Sequence, residues 1–210
     1  MGTIVFLGDS ITDANRLFSE NGLGFGYVNQ IADKLHQANP AWEIINKGVD
    51  GFVAERLVHN LERDCITYQP DYVCILVGIN DVGILMNTVT TEKERDYLLT
   101  DSIRSYHQLL FDLTNSTKAK IITLEPFIFP HPQEYANWIP WQQTLSRQIQ
   151  KLSRNYGVTF IPLHDALNGQ AEELGYDAIT TDGIHLTEAG HQILADEIMN
   201  CLLYTSPSPR

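Results

Sequence analysis

The run Tyr72–Val77 (YVCILV) is apolar over almost its whole length, and it constrains the fold more than any other segment. A strand with one wet face alternates polar and apolar residues. A strand apolar throughout must be covered on both faces, as in the centre of a parallel sheet. Shorter apolar, β-rich runs at 3–7, 42–46, 120–124 and 158–162 read as further strands. Between them lie segments of helical period. Residues 25–37 carry Tyr27, Val28, Ile31, Ala32 and Leu35 on one stripe, and residues 92–114 carry Leu99, Ile103, Tyr106, Leu110 and Leu113. Helices over 53–68, 141–155 and 187–200 complete the alternation, with a Pro- and aromatic-rich loop at 126–140. The pattern predicts the α/β class: a three-layer α/β/α sandwich on a five-stranded parallel sheet, flavodoxin-like, in one domain over residues 1–200.

Four short polar clusters sit where strands or turns should end: Gly8-Asp9-Ser10, the segment 46–51, Gly78-Ile79-Asn80-Asp81 and Asp182-Gly183-Ile184-His185. In open α/β sheets ligands bind beyond the carboxyl ends of the strands. Ser10, Gly51 and Asn80 follow the first three strands, so this fold would gather them at one rim.

Together the clusters supply the parts of a serine hydrolase. A serine hydroxyl is a poor nucleophile until a base takes its proton. Of the seven histidines, three have a carboxylate three residues upstream; His36 (Asp33) and His191 (Glu188) fall within expected helices, and His185 (Asp182) sits in a Gly-containing turn. Asp182 on Nδ1 would leave Nε2 free to accept the Ser10 proton. Gly51 offers a backbone N–H and Asn80 a side-chain amide to a developing oxyanion. Asp9 and Asp81, beside Ser10 and Asn80, are read as supporting residues. Singly, each has an ordinary structural reading: a capping serine, a turn glycine, an Asx turn, a surface Asp–His pair.

Other chemistries fit less well. The net charge of −12, from 26 acidic against 14 basic residues, opposes nucleic acid and anionic membranes as partners. Gly22-Leu23-Gly24-Phe25-Gly26 lacks dinucleotide-loop spacing and lies well past the first strand. No HExxH or similar spacing predicts a metal, and no cofactor is expected. Cys65, Cys74 and Cys201 form no CxxC and read as free thiols. The chain opens directly into a strand without a basic leader or a bilayer-length apolar run, which leads to the expectation of a cytoplasmic enzyme.

These blocks resemble those of the SGNH, or GDSL, hydrolase superfamily. Gly8-Asp9-Ser10-Ile11 matches the nucleophile block, with Ile for the usual Leu; Gly51, Gly78–Asp81 and Asp182–His185 match the other three. The likeness runs from residue 3 to about 199. It implies Ser10 as nucleophile, His185 as base, Asp182 as its orienter, and Ser10 N–H, Gly51 N–H and Asn80 as the oxyanion hole. Phe52-Val53 after Gly51 and Leu186 after the histidine depart from the common pattern. Gly24–Val28, Asn46–Gly48 and Pro126-Phe127 add a looser likeness to intracellular acetylxylan esterases, which implies a small acetylated oligosaccharide as the partner. A lysophospholipase, a short-chain arylesterase and a non-catalytic carbohydrate-binding relative are the alternatives. Tyr135, Trp138 and Trp141 are candidate sugar-stacking residues, or contacts in a homo-oligomer. The last ten residues, 201–210, resemble a reading frame of a transposase adapter used for sequencing libraries. They are expected to be a flexible tail without function, appended in a metagenomic assembly.

Overall fold

The computed structural model describes residues 2–205. Strands β1 (Gly2–Gly8), β2 (Trp42–Gly48), β3 (Tyr72–Leu76), β4 (Lys120–Leu124) and β5 (Thr159–Ile161) form one sheet in the order β2-β1-β3-β4-β5. Every pairing is parallel. All of β3 is buried, as its unbroken apolar run requires. The expected α/β sandwich is the one the chain forms.

The helices are α1 (Ser10–Asp13), α2 (Tyr27–Ala38), α3 (Ala54–Asp64), α4 (Ile79–Thr88), α5 (Glu92–Ser116), α6 (Ile139–Tyr156), α7 (His164–Leu174), α8 (Tyr176–Ile179) and α9 (Glu188–Thr205). Helix α2 packs against α9, whereas α5 packs against α3, α4 and α6. The periodic stripe of α2 is buried as expected. Helix α5 starts at a capping box in which Thr91 accepts the Glu94 N–H and the Glu94 side chain returns to the Thr91 N–H.

Four helices escaped the periodicity. Helices α1 and α8 are one turn long, too short to show a period. Helix α4 (INDVGILMNT) and helix α7 (HDALNGQAEEL) each contain a glycine and lack a clean stripe. Residues 79–88 are helical although the sequence pattern marked no helix there. The helix expected over 53–68 ends at Asp64, and a 3₁₀ turn covers Ile66–Tyr68. Helix α9 runs past the boundary expected at residue 200, with Leu202 in the core. Residues 206–210 of the expected tail lie outside the described residues.

The strand order reverses between β1 and β3, which opens a crevice at their carboxyl ends. One buried side chain braces that rim. Asn46, at the end of β2, donates through Nδ2 to the carbonyls of Thr12 (2.7 Å) and Leu23 (2.8 Å) and accepts the Gly48 N–H (2.9 Å). It thereby ties the segment after Ser10 to the neighbouring strand. Replacing Asn46 by Ala would leave these groups unpaired, at a cost of roughly 2–4 kcal/mol. Urea unfolding of the Asn46→Ala protein should show that loss with an unchanged m-value, and a loss below about 0.5 kcal/mol would contradict the bracing role.

Candidate active site

Ser10 stands directly after β1, as the first residue of α1. The preceding Asp9 caps this turn: its Oδ1 accepts the Ile11 N–H at 3.1 Å. The cap fixes the backbone at the point where the chain leaves the sheet.

The partner turn comes from the far end of the chain. Thr180 and Leu186 bridge antiparallel, and the buried Thr180 hydroxyl accepts the Gly183 N–H (2.9 Å) and donates to the His185 carbonyl (2.7 Å). Gly183 has φ +92°, and a Cβ there would collide with the His131 carbonyl oxygen. No other residue suits that position. The Gly183 carbonyl accepts the Phe129 N–H at 2.9 Å, so the turn is strapped to the loop after β4.

Within it Asp182 Oδ1 accepts the N–H groups of Ile184 (2.9 Å) and His185 (2.8 Å), while Oδ2 lies 2.7 Å from His185 Nδ1. Partial burial pushes the Asp182 carboxyl up, but the His185 ring and the two N–H groups outweigh it and hold the carboxyl below its usual range. An ionised carboxylate only accepts, so Nδ1 carries the proton and Nε2 is an acceptor. The Ser10 hydroxyl donates to that Nε2 across 2.8 Å. The structure thus brings together Ser10, His185 and Asp182 in one hydrogen-bonded chain.

Two of the three proposed oxyanion donors, Gly51 and Asn80, are linked through the residue after Gly51. Gly51 is exposed with φ +73°. Asn80, in the first turn of α4, donates through Nδ2 to the Phe52 carbonyl at 3.0 Å. One amide hydrogen is used in that bond; the other remains for a ligand.

Sequence reading missed the clamp that holds this loop against the Ser10 turn. Asp13 accepts the Arg16 N–H at 3.0 Å and the Asp50 N–H at 3.2 Å, one residue before Gly51. Arg16 Nε donates to the Gly48 carbonyl at 2.6 Å. Its signal was in plain view: an Asp three residues past Ser10 and an Arg three beyond that.

Asp9 and Asp81 are both buried. Burial is the main force on Asp9 and lifts it from 3.8 to about 7, against the opposing pull of the Ile11 N–H and of His185. Asp81 is lifted to about 6 by burial, although Ser102 and the Ala54 N–H pull it down. Its Oδ2 accepts that Ala54 N–H at 3.2 Å, which ties α4 to the start of α3. His191, read only as part of the last helix, is buried, and its Nδ1 accepts the Tyr27 N–H that begins α2 (3.2 Å). Burial holds it down at about 4, as a neutral acceptor.

An open cleft of about 840 Å³ leads from Ser10 and His185 toward the segment 13–33, with Phe25, Asp50, Glu188 and His191 in its walls. The candidate aromatics Tyr135, Trp138 and Trp141 do not line it. They are half-buried against the core; Tyr135 and Trp138 lie 4.8 Å apart between ring centres, Tyr135 beside Gly183 and Trp138 beside Gly83. Among the described residues no group of three or more His, Cys, Asp or Glu is placed to hold a metal ion. Cys65 and Cys74 are buried free thiols, as read from their spacing.

The family model for GDSL-like lipases and acylhydrolases matches residues 6–193. The chain belongs to this family. As a GDSL hydrolase it is a carboxylic ester hydrolase. It is 29% identical over 205 residues to an acetylxylan esterase of Geobacillus stearothermophilus, with 91% of this chain and 90% of that protein covered. The crystal structure of Axe2, an acetylxylan esterase from that organism, superposes with a TM-score of 0.82 at 28% identity, covering 95% of this chain and 93% of the other. A W-to-I mutant of Axe2, described as an acetyl-xylooligosaccharide esterase, gives 0.84 at 27% identity over 100% and 97% of the two chains.

The buried acid behind Ser10 has a measurable signature. Between 3.8 and about 7 the folded chain keeps a proton on Asp9 that the unfolded chain releases. Stability from this group is complete below the unfolded value and is lost as pH rises through the folded one. Asp9→Asn keeps a capping oxygen but cannot ionise. Its stability relative to wild type should therefore rise across this window, by on the order of 2–4 kcal/mol. Denaturant titrations at a series of pH values test this, and a pH-independent difference would contradict it.

Proposed function

We propose that this GDSL hydrolase is a serine esterase that removes acetyl groups from carbohydrates, with acetylated xylo-oligosaccharides as its substrate class. The observation that carries the reading is the Ser10–His185–Asp182 chain of hydrogen bonds, 2.8 and 2.7 Å. The acetylxylan esterase relatives support the acyl group and the sugar. Structures of Axe2 with a serine, an aspartate or a histidine replaced are described as those of catalytic mutants, which supports a triad of the same types.

In this reading Ser10 Oγ attacks the acetyl carbonyl as His185 Nε2 takes its proton. The carbonyl oxygen becomes an oxyanion, received by the N–H groups of Ser10 and Gly51 and the free amide hydrogen of Asn80. Collapse expels the sugar oxygen, which collects the proton from His185, and leaves an acetyl ester on Ser10. Water then attacks that ester, deprotonated by the same imidazole; collapse releases Ser10 Oγ, which takes that proton back from His185, and acetic acid departs and ionises in solvent. Asp182 holds the ring in the tautomer both steps require and stabilises the imidazolium between them. The Asp13–Arg16 clamp keeps the Gly51 loop in register with Ser10 throughout.

Ser10→Ala and His185→Ala should each lower kcat on p-nitrophenyl acetate by at least about 10⁴ while leaving the fold intact. Wild-type kinetics of the Ser10 variant would end the mechanism. For the substrate class, acetate release from acetylated xylo-oligosaccharides should exceed turnover of p-nitrophenyl octanoate. The reverse preference, without acetate release from sugar, would exclude it.

A further inference from the structure

The cleft at Ser10 has an uneven electrostatic lining. Four carboxylates, Asp13, Asp33, Asp50 and Glu188, stand in its walls, and no Lys or Arg lines it. Of these, Asp13 alone forms an ion pair among the described residues, with Arg16 Nε at 3.8 Å. Among the described residues Asp33, Asp50 and Glu188 form no ion pair, and their side chains are exposed to the solvent of the cleft. His191 is held neutral by burial and adds no compensating charge. The opening carries one aromatic ring, that of Phe25, 64% exposed.

An acetyl group fills only a small fraction of about 840 Å³. The volume is that of a site for a molecule several times larger. The cleft begins at the nucleophile, so its occupant must be the other half of the ester. An exposed ring gives a flat apolar face, on which the C–H face of a sugar can lie. Carboxylates outside ion pairs give acceptors for hydroxyl donors. The same carboxylates repel any negative charge brought into the cleft.

We propose that this cleft receives the alcohol half of the ester, and that Asp33, Asp50 and Glu188 make it selective for an uncharged polyhydroxy alcohol over one that carries an anionic group. The inference rests on the esterase reading above and narrows it, since a uronate-substituted sugar and a phosphate-bearing glyceride are both turned away. Neutral ring hydroxyls donate to the three carboxylates while the ring covers Phe25. An anionic substituent meets their summed potential, with no cation in the walls to offset it. Three like charges around one cleft amount to about a tenfold penalty at low ionic strength, and salt screens most of it.

The test uses the full chain and a matched pair of substrates, an O-acetylated methyl xyloside and an O-acetylated methyl glucuronoside, alongside p-nitrophenyl acetate. At low salt kcat/KM for the neutral glycoside should exceed that for the uronate by about tenfold or more, and the gap should close towards parity at high salt. Asp33→Asn, Asp50→Asn and Glu188→Gln, singly and combined, should each narrow the gap by raising kcat/KM for the uronate. The single substitutions decide the question even if the combined variant does not fold, because the net charge of −12 would by itself also give a gap that salt narrows. Equal kcat/KM for the two glycosides at low salt would overturn the proposal, as would a gap that the single substitutions leave unchanged. Failure of the wild-type protein to turn over p-nitrophenyl acetate would instead remove the esterase reading, and this proposal with it.

Discussion

The hydrogen bond from the Ser10 hydroxyl to His185 Nε2 joins residues 175 positions apart, and the surrounding architecture serves to hold its two ends. One end is fixed by β1, by the Asp9 cap, and by Asn46 bridging from β2. The other has no strand beneath it. Its turn stands on internal bonds to Thr180 and Asp182, and on the strap from Phe129 to the Gly183 carbonyl. A single part-buried hydrogen bond contributes about 1 kcal/mol and could not draw these segments together. Both ends must already be in place when it forms, which is the preorganisation that proton transfer needs.

Polar groups are buried around the site at a cost to stability. Asp9 and Asp81 are removed from water, and burial raises both well above the usual carboxylate range. In return each satisfies backbone donors at a helix start: Asp9 at α1, Asp81 at α3. His191 does the same for α2, as a neutral acceptor. The rim of the sheet is thus built from helix starts whose first N–H groups are paired by side chains, from the helix's own N-cap at Asp9 and from distant segments at Asp81 and His191. Asp9 and His191 pull stability in opposite directions as pH changes, because one resists ionisation and the other resists protonation.

Much of this was legible in the sequence because the informative signals were local. The apolar run of β3 announced a covered strand, and the spacing of Asp182 and His185 announced a paired imidazole. Ser10, Gly51 and Asn80 each follow a strand, so the topology alone carried them to one rim. The rest depended on contacts between distant segments. Helix α4 is apolar with a glycine inside it, so no period marked it. Asn46 was legible as a strand end opening a polar cluster, but not as the residue on which the carbonyls of Thr12 and Leu23 converge. Tyr135 and Trp138 were read as aromatics near the site; Tyr135 does pack beside Gly183, in the turn between Asp182 and His185, and Trp138 beside Gly83, but neither lines the cleft at Ser10. The exposed ring at the cleft is that of Phe25, on a segment whose course is set by long-range hydrogen bonds and by the start of α2.

Covalent capture of the reaction tests the central claim most directly. Acid quenching during turnover of an acetyl ester, followed by proteolysis and mass spectrometry, should find acetyl on the peptide containing Ser10 and on that residue alone. The adduct should be absent from the Ser10→Ala protein. Steady release of acetate with no acetylated Ser10 at any quench time, or acetyl carried by another residue, would contradict the account.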